Sequence, residues 1–328
     1  MVEILYFPKD KPIQENVPLE RLGAVLRDRS GLVWVDLAEE DPAICEPLLK
    51  DVFGFHALAV EDALVEAHIP KLDEWDNYLY LVLHDIMFDE GRFWEARFPE
   101  LDVFLGANYL VTHHQHPIPA LTRVWQGILK DERLQSSGPD RVLFRLSHEL
   151  LFDHGTVIEQ VEEIVSGIED RVFDMPAPDI PESLFTLKRM LLQMRRVIGP
   201  QREVFNKLAL DRLPGIDARD RVYFRDLHDQ AERLYDLLES QRDLVSGTLD
   251  TYLSMVNNRM NDTMKLLTTI TTLFMPLSFI TGFFGMNFFQ SVGVANHWTE
   301  TLAFDLSLIG MVIIPLGMYV WMRWRRLV

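Results

Sequence analysis

Residues 266–284 read LLTTITTLFMPLSFITGFF, nineteen positions without a charge. Residues 302–324 read LAFDLSLIGMVIIPLGMYVWMRW, with Asp305 near one end and Arg323 near the other. Each is close to or beyond the roughly 20 residues that a helix needs to cross a hydrocarbon core of about 30 Å. A buried helix of a soluble protein passes the same length test. Two such segments closing the chain across a short loop favour the bilayer. Trp298, Trp321 and Trp324 stand where interfacial aromatics belong. Arg259 and Lys265 precede the first segment, Arg323, Arg325 and Arg326 close the second, and residues 287–301 between them hold no Lys or Arg. The positive-inside rule then predicts both termini in the cytosol and the loop outside.

Working back toward the N-terminus, no proline occurs between Pro214 and Pro276, and Gly247 is the only glycine between Gly215 and Gly282. The pattern predicts one helix that begins in the soluble part and runs into the membrane. At 1.5 Å per residue, about 60 residues give about 90 Å. Residues 1–260 carry 47 acids against 28 bases, a formal charge of −19. That balance excludes nucleic acid as a partner, because phosphate contacts need Lys and Arg. It concentrates small cations near the surface, although solubility alone accounts for it equally well. The one cysteine, Cys45, excludes an internal disulfide and a thiolate zinc site, and points to a reducing compartment. The first five residues lack the basic and apolar regions of a cleavable leader.

Residues 1–140 read as a cytosolic α/β domain. Runs rich in β-branched and aromatic residues at 1–7, 31–37, 78–88, 93–105 and 109–113 predict strands. Helical patterns fall at 44–52 and 56–67. The order is no regular βαβ repeat, so the sheet is expected to be mixed. Residues 141–214 predict a helical hairpin broken at Pro176, Pro178 and Pro181. The stalk helix follows in 215–265, a first span in 266–286, an outer loop in 287–301, a second span in 302–324 and a basic tail in 325–328.

Asn261, Met264, Thr268, Thr271, Met275, Ser278, Gly282 and Gly285 recur at alternating spacings of three and four. This is the seam of a helix facing a bundle axis. Here it carries amide, thioether, hydroxyl and glycine, while Leu266, Ile270, Leu273, Leu277 and Ile280 fall elsewhere. Hydroxyls and amides suit a hydrated ion, and Met264, Leu267 and Met275 suit apolar constrictions that gate by dewetting. Small and hydroxyl residues also serve as packing between membrane helices, and spacing does not separate the two readings. No acid lies on the seam within the span. A hydrated ion is therefore expected, which fits magnesium and its reluctance to lose water.

Gly285-Met286-Asn287, at the outer end of the first span, resembles the Gly-Met-Asn signature of the CorA family of magnesium and cobalt transporters. The likeness extends through Tyr252-Leu253-Ser254, Asn261, Met264-Lys265, Met275-Pro276-Leu277 and Gly282 to Phe288, with Tyr223-Phe224-Arg225-Asp226 and Val60-Glu61-Asp62 followed by His68 upstream. It implies a homopentameric funnel: an α/β cytosolic domain, a long helical stalk and two transmembrane helices in the inner membrane. Gly285, Met286 and Asn287 would then form the selectivity filter. Asn261, Met264, Leu267, Thr268, Thr271, Met275, Ser278 and Gly282 would line the pore. Asp62 with Asp226, and Glu61 with Glu149, would hold regulatory metal between neighbouring subunits, so that magnesium favours the packed, closed state. Mg2+ or Co2+ is the implied substrate and regulator, with no other cofactor. Two departures stand out: residues 288–299 hold no acid, and Gln230 replaces a histidine of some relatives.

Zinc transporters of the same superfamily share the signature and lack an acidic loop. His297 and the run His113-His114-Gln115-His116 keep zinc open, since imidazole suits it better than magnesium. His114 and His116 would share a strand face, and a histidine pair near a turn is usually on the surface. A membrane-anchored scaffold without transport is a further alternative, against which the polar seam speaks. No Walker loop, Gly-x-Ser-x-Gly or His-Glu-x-x-His motif points to an enzyme.

Overall fold

The computed structural model describes residues 1–328 except 10–11, 30, 66–68, 90–91, 131–137, 175–176, 287–301 and 326–328. Two compact units result, Met1–Leu249 and Asp250–Val328.

The first unit is built on a six-stranded sheet of β1 (Val2–Phe7), β2 (Leu32–Ala38), β3 (Lys71–Trp75), β4 (Tyr78–His84), β7 (Glu100–Gly106) and β8 (Tyr109–His114). The order is β1-β2-β8-β7-β4-β3. β2 and β8 pair parallel and the other pairs are antiparallel, so the sheet is mixed as expected. The expected strand 78–88 ends at His84, and β5 (Met87–Asp89) leaves the sheet to pair with β6 (Arg92–Arg97). The run 93–105 likewise splits, with β6 ending before Phe98-Pro99. Proline lacks the ladder donor, so a break there is natural. β3 was not expected: it reads KLDEW, an edge strand whose polar residues hide the apolar pattern.

One face of the sheet is covered by α1 (Leu19–Arg27), α2 (Pro42–Pro47), the π-turn Leu48–Val52 and α3 (Ala57–Leu64). Tyr6, Val35, Tyr80, Val82, Phe104 and Val111 from the strands pack there with Leu22, Cys45, Leu49 and Val60. α2 starts where it does because the Asp41 carboxylate accepts the Ala43 N–H at 2.8 Å and Pro42 presets the first turn. α3 starts at His56, whose Nδ1 accepts the Leu58 N–H at 3.2 Å. The run 44–52 is thus α2 continued by a π-turn, and the run 56–67 is the helix α3, which ends at Leu64.

The other face carries α4 (Pro119–Lys130), α5 (Pro139–Asp174) and α6 (Ile180–Leu210). Trp34 of β2 meets Trp125 of α4 with ring centres 4.6 Å apart, and its Nε1 donates to Thr112 Oγ1 at 3.1 Å. α5 and α6 grip the end of β4 at one residue. His154 Nε2 donates to the His84 carbonyl at 3.0 Å, and Gln201 Oε1 accepts the His84 N–H at 3.0 Å. The break before Pro181 is real, since α6 begins at Ile180 with proline in its first turn.

The long helix is α7 (Arg221–Phe284), 64 residues, starting six residues later than the expected start of the stalk at 215. Within the first unit it buries Phe224, Leu227, Ala231, Leu234, Leu238 and Val245 at spacings of three, four and seven. Gly199 on α6 permits the close approach: a Cβ there would stand 3.3 Å from the Tyr235 ring.

The second unit holds the rest of α7 and α8 (Leu302–Trp324). In the most apolar 18-residue windows of the two helices, 0% and 6% of residues are buried. A core helix of a soluble protein would be mostly buried, so these are candidate membrane spans.

Candidate ion pathway and metal sites

Along the apolar stretch of α7, burial separates two faces. Thr269, Thr272, Leu273, Pro276, Leu277 and Ile280 are half-buried. Asn261, Met264, Leu267, Thr268, Thr271, Met275, Ser278 and Gly282 are all exposed. At 100° per residue the two sets lie on largely opposite sides of the helix. α8 answers with a half-buried or buried face of Ser307, Gly310, Met311, Pro315, Met318 and Met322. That methionine face went unnoticed in the sequence, although its three- and four-residue spacing was legible. At the inner end of the span, Asn261, Met264 and Thr268 line a cavity of about 890 Å3 with Trp321 and Met322 of α8. The seam therefore borders α8 there and is clear of it further out.

The seam hydroxyl of Thr271 donates to the Leu267 carbonyl at 2.8 Å. Its proton is spent on the helix, and its oxygen faces outward with lone pairs alone. Such an oxygen accepts hydrogen bonds from water or meets a cation, and offers nothing to an anion. At the end of the helix, the Gly285 N–H donates to the Thr281 carbonyl at 2.8 Å and the Met286 N–H to the Phe283 carbonyl at 3.3 Å. Asn287, the third residue of the expected filter, lies outside the described residues, as does the outer loop with His297 and Glu300.

The four carboxylates assigned to regulatory metal all lie in the first unit. Glu61 and Asp226 are exposed on α3 and α7. Asp62 faces Lys71, whose Nζ stands 2.5 Å from Asp62 Oδ2 and 3.0 Å from Asp73 Oδ2. Glu149, on α5, takes Arg123 at 3.1 Å and Arg145 at 3.4 Å, and Arg123 also reaches Asp153 at 2.6 Å. The chain thus supplies basic partners to two of the four. These bases were not foreseen, because Lys71 and Arg123 arrive from other elements; only the Arg145–Glu149 pair, four apart on a helix, was legible. Among the described residues, no three metal-ligating side chains stand together. The four carboxylates were expected to meet across copies of the chain, which one chain does not contain.

The histidine run lies at the end of β8. His113 Nδ1 is 3.3 Å from Asp102 Oδ2, and His114 Nε2 is 3.4 Å from Asp36 Oδ2. Both rings are buried, on opposite sides of the strand, against acids of the flanking strands. The surface placement expected for the pair holds for His116 alone. His114 also does not share a strand face with His116, because β8 ends at His114. Asp102 receives Tyr80 Oη at 2.6 Å, and burial pushes its carboxyl up to about 7.

An α/β unit, a helix continuing from it into a polar-seamed span, and a second apolar helix define a membrane transport protein for cations. The description CorA-like Mg2+ transporter protein matches residues 29–326, and the chain belongs to that family. The cobalt/magnesium transport protein CorA of Thermotoga maritima is 30% identical over 89% of this chain and 83% of its own. The zinc transport protein ZntB of Yersinia pseudotuberculosis is 25% identical over 88% of this chain and 86% of its own. The complete structure of the CorA magnesium transporter from Methanocaldococcus jannaschii shares the fold, with a TM-score of 0.81 and 23% identity over 98% of this chain and 97% of that one. The chain is thus a divalent metal ion transporter and not an enzyme, and the anchored scaffold gives way to that membership.

Proposed function

We propose that the chain is a homopentameric channel for hydrated Mg2+, and for Co2+, in the inner membrane, with both termini in the cytosol. The observation that carries this reading is the exposed seam of α7. Its amide and hydroxyl oxygens run from Asn261 to Ser278 without a carboxylate. A stripped divalent ion would be poorly compensated on such a surface, whereas a hydrated one is solvated by it. Five copies would turn their seams to a common axis and remove the exposed apolar residues of that face from lipid. Gly285, Met286 and Asn287 would ring the outer mouth. An inward potential drives entry at about 2.3 kcal/mol per charge per 100 mV, so uptake needs no coupled ion.

Gating follows from carboxylates of neighbouring copies. Asp62 with Asp226, and Glu61 with Glu149, would repel when empty and be bridged by metal, favouring a closed assembly. A fall in cytosolic magnesium would then open the pore. Lys71 and Arg123 compete with metal for Asp62 and Glu149, which sets the affinity low.

Zinc remains the second reading, on the acid-free run 288–299 of the outer loop and the likeness to ZntB. Flux into proteoliposomes, with magnesium, cobalt and zinc side by side and Asn287→Ala as the control, tests both. Magnesium flux lost in the variant supports the first reading. Zinc flux without magnesium flux replaces it with the second.

A further inference from the structure

The cavity of about 890 Å3 between the inner ends of α7 and α8 has a floor that the ion seam does not use. Asn258, Lys265 and Thr272 line it, and their spacing of seven puts them on one stripe of α7. At 100° per residue, the seam residues Asn261, Met264 and Thr268 fall to one side of that stripe. α8 closes the far wall with Trp321 and Met322. Among the described residues, Lys265 is the one base in the lining. Its Nζ is 3.9 Å from Asp262 Oδ1, and the two side chains are 67% and 76% exposed. A pair so long and so open is weakly held, which leaves the ammonium available to another anion.

α8 supplies a second base at the mouth. Its half-buried face continues through Met318 and Met322 to Arg325, at spacings of four and three. The Arg325 N–H donates to the Trp321 carbonyl at 3.0 Å, so the helical turn reaches it. Arg323 falls on the opposite side of the helix. Depth follows from length. Lys265 and Gly285 are twenty residues apart, about 30 Å of helix, which is the thickness of the hydrocarbon core. With Gly285 at the outer boundary, Lys265 stands at the inner one. Thr272 is then about 10 Å inside it and Asn258 about 10 Å outside it. The cavity therefore straddles the headgroup layer and the first part of the acyl chains.

An occupant of such a place needs a negative head that accepts hydrogen bonds, for Lys265, Arg325 and the amides of Asn258 and Asn261. It needs an apolar body against Trp321 and Met322. Charge points the same way. Residues 1–260 carry −19, whereas all four bases of residues 261–328 lie at this one end of the spans. Basic pockets between membrane helices on the cytoplasmic side take anionic lipid headgroups. We propose that the cavity binds an anionic phospholipid of the inner leaflet, with its phosphate between Lys265 and Arg325 and its acyl chains along α7 and α8. The bound lipid ties the two helices together beside the inner end of the seam. The proposed orientation decides only which leaflet supplies the lipid. The preference for an anionic headgroup depends neither on it nor on which ion the pore conducts.

The test is native mass spectrometry of the full-length protein in detergent, offered equal amounts of phosphatidylglycerol and phosphatidylcholine with the same acyl chains. Wild type is expected to retain one phosphatidylglycerol per chain, preferred over phosphatidylcholine by more than about tenfold. Lys265→Gln and Arg325→Gln are each expected to lower that preference about fivefold. Arg323→Gln, off the cavity face, is expected to leave it, as is an excess of inorganic phosphate. Equal retention of the two lipids by wild type overturns the proposal, and is the result expected if a neighbouring copy of the chain fills the cavity. A preference lost equally with Arg323→Gln also overturns it, by reducing the effect to general charge. Displacement by inorganic phosphate overturns it in favour of a free anion. Lys265 and Arg325 are both exposed, so neither substitution disturbs a core.

Discussion

Lys71 Nζ lies between two carboxylates, 2.5 Å from Asp62 Oδ2 and 3.0 Å from Asp73 Oδ2, so the metal proposed for Asp62 would have to displace it. The pair is partly exposed, with 32% and 46% of the side chains open to solvent, and such pairs contribute about 0.5–1 kcal/mol. Lys71→Gln is therefore expected to lower the divalent concentration needed to close the transporter by about two- to fivefold. Inhibition of flux as a function of internal magnesium measures this. An unchanged or higher requirement would remove Asp62 from the regulatory site.

His154 is fully buried between α5 and β4, and burial lowers its imidazole from 6.5 to about 4. The folded protein therefore holds it neutral where the unfolded chain protonates it. Its contribution to stability is complete above about pH 6.5 and is lost as pH falls toward 4, by about 3 kcal/mol. His154→Gln keeps a donor for the His84 carbonyl and cannot titrate. Denaturant unfolding between pH 7 and pH 4 is expected to show a shallower decline for the variant. Parallel curves would mean that His154 is not held neutral.

Gly285 closes the last turn of α7, and a Cβ there would stand 2.8 Å from the Thr281 carbonyl oxygen. Backbone must shift to admit it. Gly285→Ala is expected to reduce ion flux by about tenfold or more through the proposed outer filter, since a misplacement of about 1 Å costs positioned groups in catalytic sites on the order of 100-fold. Helical content by circular dichroism should be unchanged. Full flux in the variant would separate the end of α7 from the filter.

The native chain is a quiet background for thiol labelling. Cys45 is the sole cysteine, it is 0% exposed, and burial raises its thiol to about 11. Thr271→Cys and Ser278→Cys, on the exposed seam, are expected to react with a water-soluble thiol reagent in membranes and to lose flux on modification. Leu277→Cys, on the half-buried face, is expected to stay unmodified. Equal protection of all three would return the seam to helix packing.

The sequence alone determined the two spans, the long helix and the face division of α7. Each depends on patterns local to one segment: charge-free length, the absence of proline, and a three-four repeat. It also determined the mixed character of the sheet, while β3 escaped because an edge strand such as Lys71–Trp75 need not alternate. What tertiary structure decided is which charges meet. Arg123 reaches Glu149 across 26 residues and His114 reaches Asp36 across 78, and no periodicity encodes such distances. Burial decided the rest. A histidine near a turn reads as a surface group until the neighbouring strand and α4 close over it. Only then does the loss of water leave its ring nitrogen dependent on the Asp36 carboxylate beside it.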